Sequence, residues 1–91
     1  MKTIETSAKH YNANSDFYFY IGEERVGSKS INYSKDNYID WAENAEEAIE
    51  SYKDELLEYI KEIELKHNSK IDLDHFEEEF SAVAIHISNI F

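Results

Sequence analysis

The sequence predicts a small α+β fold, and three patterns carry that expectation. Residues 16–21 (DFYFYI) alternate aromatic side chains with the two-residue period of a strand. Residues 44–67 place apolar side chains at steps of three and four behind a capping residue, the pattern of an amphipathic helix. Residues 71–87 return to alternation. The expected order is β-β-α-(β or α)-β: a small antiparallel sheet with one long acidic amphipathic helix packed across one face.

In the first strand Phe17, Phe19 and Ile21 share one side, and Tyr18 and Tyr20 share the other. Gly22 and Gly27, the only glycines, bracket EERV and predict a hairpin turn. In the strand that follows, Lys29, Ile31 and Tyr33 alternate with Ser28, Ser30, Asn32 and Ser34, which leaves a hydroxyl-rich solvated face. Residues 35–42 form a connector in which Tyr38, Ile39 and Trp41 plug an end of the core.

Asn44 followed three residues later by Glu47 is a capping pattern, so a helix starts there and runs to His67 or Asn68. Ala45, Ala48, Ile49, Tyr52, Leu56, Tyr59, Ile60 and Ile63 form its packing stripe. After a turn at Ser69, Ile71 and Leu73 alternate with Asp72 and Asp74, and Val83, Ile85 and Ile87 alternate with Ala82, Ala84 and His86. The preferred reading is a strand, an acidic turn at 77–79 and a final strand. A short helix over 74–80, capped by Asp74, competes for the first piece.

The 91 residues fit one domain, 1–91, with one core. With 42% hydrophobic and 14% aromatic residues, the chain carries too much apolar area for a disordered acidic tail. The absence of cysteine excludes disulfides, thiolate catalysis and cysteine-based metal sites. No stretch approaches a membrane span and the opening residues lack the apolar run of a signal peptide, so a cytoplasmic protein with no membrane partner is expected.

Twenty acids against nine Lys and Arg give a net charge of −11, which argues against direct nucleic-acid binding. The charge is unevenly placed. Residues 1–35 sum to +1 and residues 36–91 to −12. On the helix, Glu43, Glu47, Glu50, Asp54, Glu58 and Glu62 follow at steps of four, three, four, four and four. They form one line spanning about 28 Å. Glu46 and Glu55 widen the line, and only Lys53 and Lys61 lie near it.

Every amphipathic helix has a charged solvated face, but a face that serves only solubility mixes signs. This one counts eight acids to two bases. Like charges at these spacings destabilise a helix by about 0.2–0.5 kcal/mol per pair. The row is therefore a candidate partner-binding surface, a carboxylate line that imitates phosphates before a Lys/Arg-lined groove. Tyr18 and Tyr20, with Tyr33 as a candidate third member, form a second candidate patch, since exposed tyrosines anchor protein interfaces. Exposed sheet edges leave a homodimer open.

Catalytic signatures are missing. Two glycines cannot build a phosphate loop, and no Ser sits in a nucleophile elbow. His10, His67, His75 and His86 are scattered. His67 suits a helix C-terminus, where a cationic ring is favoured. Asp72, Asp74, His75 and Glu77 hold metal-ligand types but lack calcium-loop or zinc-helix spacing, so neither metal nor cofactor is expected. An enzyme is not expected.

The −12 half of the chain and the row from Glu43 to Glu62 resemble the small acidic phage- and plasmid-borne inhibitors of host defence, anti-CRISPR proteins and DNA mimics among them. That resemblance implies stoichiometric binding to a nuclease or CRISPR effector complex, at a site meant for guide RNA or target DNA. Residues 44–59 (NAEEAIESYKDELLEY) are similar to the helix of HicB-type antitoxins, in which a strand pair precedes an acidic, alanine-bearing helix. This second resemblance implies an antitoxin module neutralising a small basic toxin or RNase.

Overall fold

In the computed structural model residues 2–33 and 44–90 are described. The connector with Tyr38, Ile39 and Trp41 lies outside them, as does Glu43. Three strands come first: β1 (Lys2–Tyr11), β2 (Asn14–Ile21) and β3 (Glu24–Asn32). Helix α1 (Ala45–His67) follows, then a short β4 (Ser69–Ile71) and a second helix, α2 (Leu73–Ile90). The α+β class holds, with the long acidic helix on one face of the sheet. The order of elements and the sheet type differ from expectation.

The sheet order is β3-β2-β1-β4. The first three strands form an antiparallel meander, whereas β4 runs parallel to β1, so the sheet is mixed and not wholly antiparallel. Two-residue loops close both hairpins, Asn12-Ala13 between Tyr11 and Asn14 and Gly22-Glu23 between Ile21 and Glu24. Asn12 and Gly22 lead them at φ 51° and 62°, a region that Asn tolerates and Gly occupies freely. The turn is thus tighter than the bracketing glycines suggest, and Gly27 lies inside β3. There the register passes from Phe19 opposite Gly27 to Tyr20 opposite Arg25, and Val26 is the extra residue of a bulge.

β1 is hidden in the sequence because its inward side carries Ile4, Thr6, Ala8 and His10, too little apolar character to advertise a strand. Its outward side is Thr3, Glu5, Ser7 and Lys9, all exposed. It nevertheless sits between β2 and β4.

The expected final strand is helix. Val83, Ile85 and Ile87 alternate in sequence, yet only Val83 and Ile87 are buried, together with Phe76 and Phe80, while Ile85 is 65% exposed. Spacings of four, three and four between the buried residues are helical, and they overrule the shorter alternation. The acidic turn at 77–79 lies within this helix. Asp72, not Asp74, caps it: its Oδ1 accepts the His75 N–H at 3.2 Å and its carbonyl accepts that of Phe76 at 3.0 Å.

Both helices cover one side of the sheet. Phe17 meets Phe76 and Phe80 of α2, and Phe19 meets Tyr59 of α1, with centroids 5.8–6.3 Å apart. Tyr33, Leu56, Ile60 and Ile63 complete that core. Asp16, Tyr18 and Tyr20 face the opposite, uncovered side.

Candidate functional site

Helix α1 begins as its capping pattern requires. Asn44 is extended and its Oδ1 accepts the Glu47 N–H at 2.9 Å. It ends on Asn68, whose left-handed backbone (φ 48°, ψ 53°) lets its N–H reach the Glu64 carbonyl. Lys66 and His67 fill the last turn, where positive charge complements the helix dipole. Twenty-three residues make a rod of about 35 Å.

Glu47, Glu50, Asp54, Glu58 and Glu62 are all exposed. They fall within an arc of about 120° on the side away from Tyr52, Leu56 and Ile60, and cover about 22 Å along the axis. Among the described residues no ion pair reaches Glu50, Asp54, Glu58 or Glu62. Of the two nearby bases, Lys61 falls within the same arc, exposed and in no ion pair of the described residues, and Lys53 is turned elsewhere. Lys53 pairs with Glu77 of α2 at 2.8 Å and lies over the Phe80 ring. Glu55, on the flank, is taken by Lys29 of β3 at 3.2 Å.

Charge separates along the chain. Residues 2–33, the meander, carry four acids and four bases, and residues 44–90 carry thirteen acids and four bases. Helix α2 has no Lys or Arg. The field of the molecule therefore leaves from the helical side.

Tyr18 and Tyr20 are half-buried on the uncovered face of the sheet. The Arg25 guanidinium lies 5.6 Å from the centre of the Tyr18 ring, and Tyr20 sits opposite Glu5. Further along this face Asp16 accepts from Ser30 Oγ at 2.6 Å, Tyr11 Oη at 3.1 Å and Asn14 Nδ2 at 3.2 Å. The bond to Asp16, reinforced by its negative charge, raises the Tyr11 pKa. The acidic row and the tyrosine pair thus lie on opposite sides of the molecule, and one flat partner surface cannot touch both.

The remaining chemistry-bearing residues are dispersed. Asp72 is occupied as a cap and Glu77 by Lys53, and His75 lies between Glu78 and Glu79 at 3.7 and 3.8 Å. No group of three His, Asp or Glu side chains converges as a metal site among the described residues. One juxtaposition had no signal in the sequence. His10 of β1 and His86 of α2, at distant chain positions, bring their rings to 4.8 Å, and His86 Nε2 hydrogen-bonds the Asn12 carbonyl. Tyr33 does not join the exposed tyrosine patch: it is fully buried in the core, stands edge-on to His86 and shares a 2.7 Å hydrogen bond with Ser15, and burial raises its pKa.

Among the described residues no helix is long and apolar enough to cross a membrane. No protein-family model, curated protein or solved structure matches the chain.

Proposed function

We propose that this chain is a non-enzymatic inhibitor of the anti-CRISPR or DNA-mimic type. It seats the outer face of α1 in a basic groove of a protein partner, a nuclease or CRISPR effector complex, where nucleic acid would otherwise bind. The observation that carries this reading is the run Glu50, Asp54, Glu58 and Glu62, exposed and in no ion pair of the described residues, on a segment, residues 44–90, with thirteen acids to four bases. Leaving such a row unneutralised costs helix stability, and a cationic groove would recover that cost on docking. The same field steers the encounter and accelerates association at low salt.

The density of charge sets what is imitated. Five acids over about 22 Å give roughly one charge per 5 Å, sparser than the one per 3.4 Å of a single nucleic-acid strand. The row therefore competes for the strongest cationic positions of a groove and does not reproduce a whole strand.

The test is competition in the presence of salt. A partner captured from a lysate of CRISPR-bearing cells should release its guide or target nucleic acid as the protein is added, with affinity falling steeply from low to high salt. Reversing Glu50, Asp54 and Glu58 together to Lys should weaken binding far more than reversing Glu23 and Glu24. Salt-independent affinity, or equal losses at the two places, sinks the reading. Capture of a small basic RNase encoded beside the chain would favour the antitoxin alternative instead.

A further inference from the structure

His10 stands near the end of β1 and His86 in the last third of α2, and their ring centroids lie 4.8 Å apart with planes tilted by 43°. Two imidazoles on one tetrahedral ion, with metal–nitrogen bonds of ~2.0–2.1 Å, place their ring centres roughly 5 Å apart. The spacing alone would also suit plain ring packing. A second contact separates the two cases.

His86 Nε2 is hydrogen-bonded to the Asn12 carbonyl, which can only accept, so the neutral ring carries its proton on Nε2 and keeps a lone pair on Nδ1. A backbone carbonyl holding the far N–H of an imidazole is the arrangement that orients metal-binding histidines and raises their basicity. Tyr33 fixes the same ring from the edge, 5.8 Å away and at 81°. His10 is exposed and its ring makes no hydrogen bond among the described residues, so either of its nitrogens can turn to an ion. The surroundings favour a cation: α2 has no base in its last turn, where helix carbonyls are unpaired.

We propose that His10 and His86 form a two-histidine site for a late first-row divalent ion, Zn²⁺ or Cu²⁺, which ties the end of β1 to the final turns of α2. No third His, Asp or Glu joins them among the described residues, so water completes the coordination. Such a site binds less tightly than a four-ligand structural site. It selects ions that prefer imidazole over Mg²⁺ and Ca²⁺, which prefer oxygen. The site does not depend on how the acidic row is used.

The experiment is titration of the metal-free full chain at neutral pH with ZnCl₂, CuCl₂, MgCl₂ and CaCl₂, followed by calorimetry and thermal unfolding. Zn²⁺ and Cu²⁺ should bind one to one and raise the Tm, because an ion held only by the folded chain stabilises it. Mg²⁺ and Ca²⁺ at equal concentration should do neither. His10→Gln should weaken Zn²⁺ binding at least tenfold and leave the metal-free Tm unchanged. His75→Gln should leave Zn²⁺ affinity intact, although that ring lies near two carboxylates. In the unmodified chain, Zn²⁺ should shift the imidazole NMR signals of His10 and His86 together. Absence of binding, retention of full affinity in His10→Gln, or loss of it in His75→Gln overturns the proposal.

Discussion

The Tyr59 hydroxyl occupies the place of a side chain on Gly27: a Cβ added there would lie 2.8 Å from Tyr59 Oη and 3.0 Å from Ile63 Cδ1. From that position the hydroxyl accepts the Ser28 N–H at 3.0 Å, joining the middle of β3 to α1. Gly27→Ala should displace the ring and break this bond. It should cost about 1–2 kcal/mol, the range for overpacking with loss of one hydrogen bond. In a domain of this size each 1 kcal/mol lowers the Tm by roughly 4–8 °C. Tyr59→Phe removes the obstructing atom, so Gly27→Ala should cost clearly less in the Tyr59→Phe background. Strictly additive losses in thermal unfolding would show that the two residues do not meet.

The exposed carboxylates of α1 make a prediction about stability that is separate from binding. Neutralising three of them, as Glu50→Gln, Asp54→Asn and Glu58→Gln, removes like-charge pairs at spacings of three and four and touches no ion pair of the described residues. Each such pair destabilises by about 0.2–0.5 kcal/mol, so the triple variant should be more stable at low salt by about 1 kcal/mol. Added salt should raise the Tm of the parent chain and close the gap, since screening within about 10 Å at 0.1 M ionic strength relieves the same repulsion. A lower Tm for the triple variant would mean that the row supports the fold.

What the sequence disclosed depended on how strongly each pattern repeats. Asn44 and Glu47 announce the start of α1, and the row keeps its helical spacing for five turns, so both element and face were legible. Phe17 and Phe19 against Tyr18 and Tyr20 announce β2 in the same way. β1 was not legible, because Thr6 and Ala8 fill inward positions that larger apolar residues usually mark. The fate of the counter-ions was equally hidden. Lys53 looks toward the row in sequence, but its partner Glu77 lies where the pattern leaves an acidic turn and a short helix over 74–80 in competition, and Glu55 meets Lys29 across from β3. The His10–His86 pairing depends on residues 82–87, whose alternation points to a strand and which are helix.

Alkaline pH should find its weak point at Tyr33. The ring is fully buried, its hydroxyl meets Ser15 Oγ at 2.7 Å and donates to the Asn14 carbonyl at 3.2 Å, and burial raises its pKa above the usual value. The folded chain then holds the phenol proton more tightly than the unfolded chain does. Its contribution to stability is complete below about pH 10 and is lost as pH climbs from there through the raised folded value. Tyr33→Phe should flatten that decline in a series of Tm measurements from pH 9 to 11.5. At neutral pH it should cost about 1–2 kcal/mol, because Ser15 and Asn14 lose a partner. An unchanged alkaline slope in the variant would assign the decline to other groups.

The end of the chain offers the sharpest distinction between the two periodicities. A strand would turn Val83, Ile85 and Ile87 to one side and bury all three. Helix α2 buries Val83 and Ile87 completely and leaves Ile85 65% exposed. Ile87→Ala should therefore open a cavity under the sheet and cost about 2–5 kcal/mol, a large share of the 5–15 kcal/mol that holds a typical domain. Ile85→Gln should stay within about 0.5 kcal/mol, since it removes little buried area and Gln is the better helix former. Thermal unfolding of the two variants decides the matter. Comparable losses would restore the alternating strand, whereas the expected contrast places residue 85 on the outer surface of a helix whose opposite side packs on Phe17.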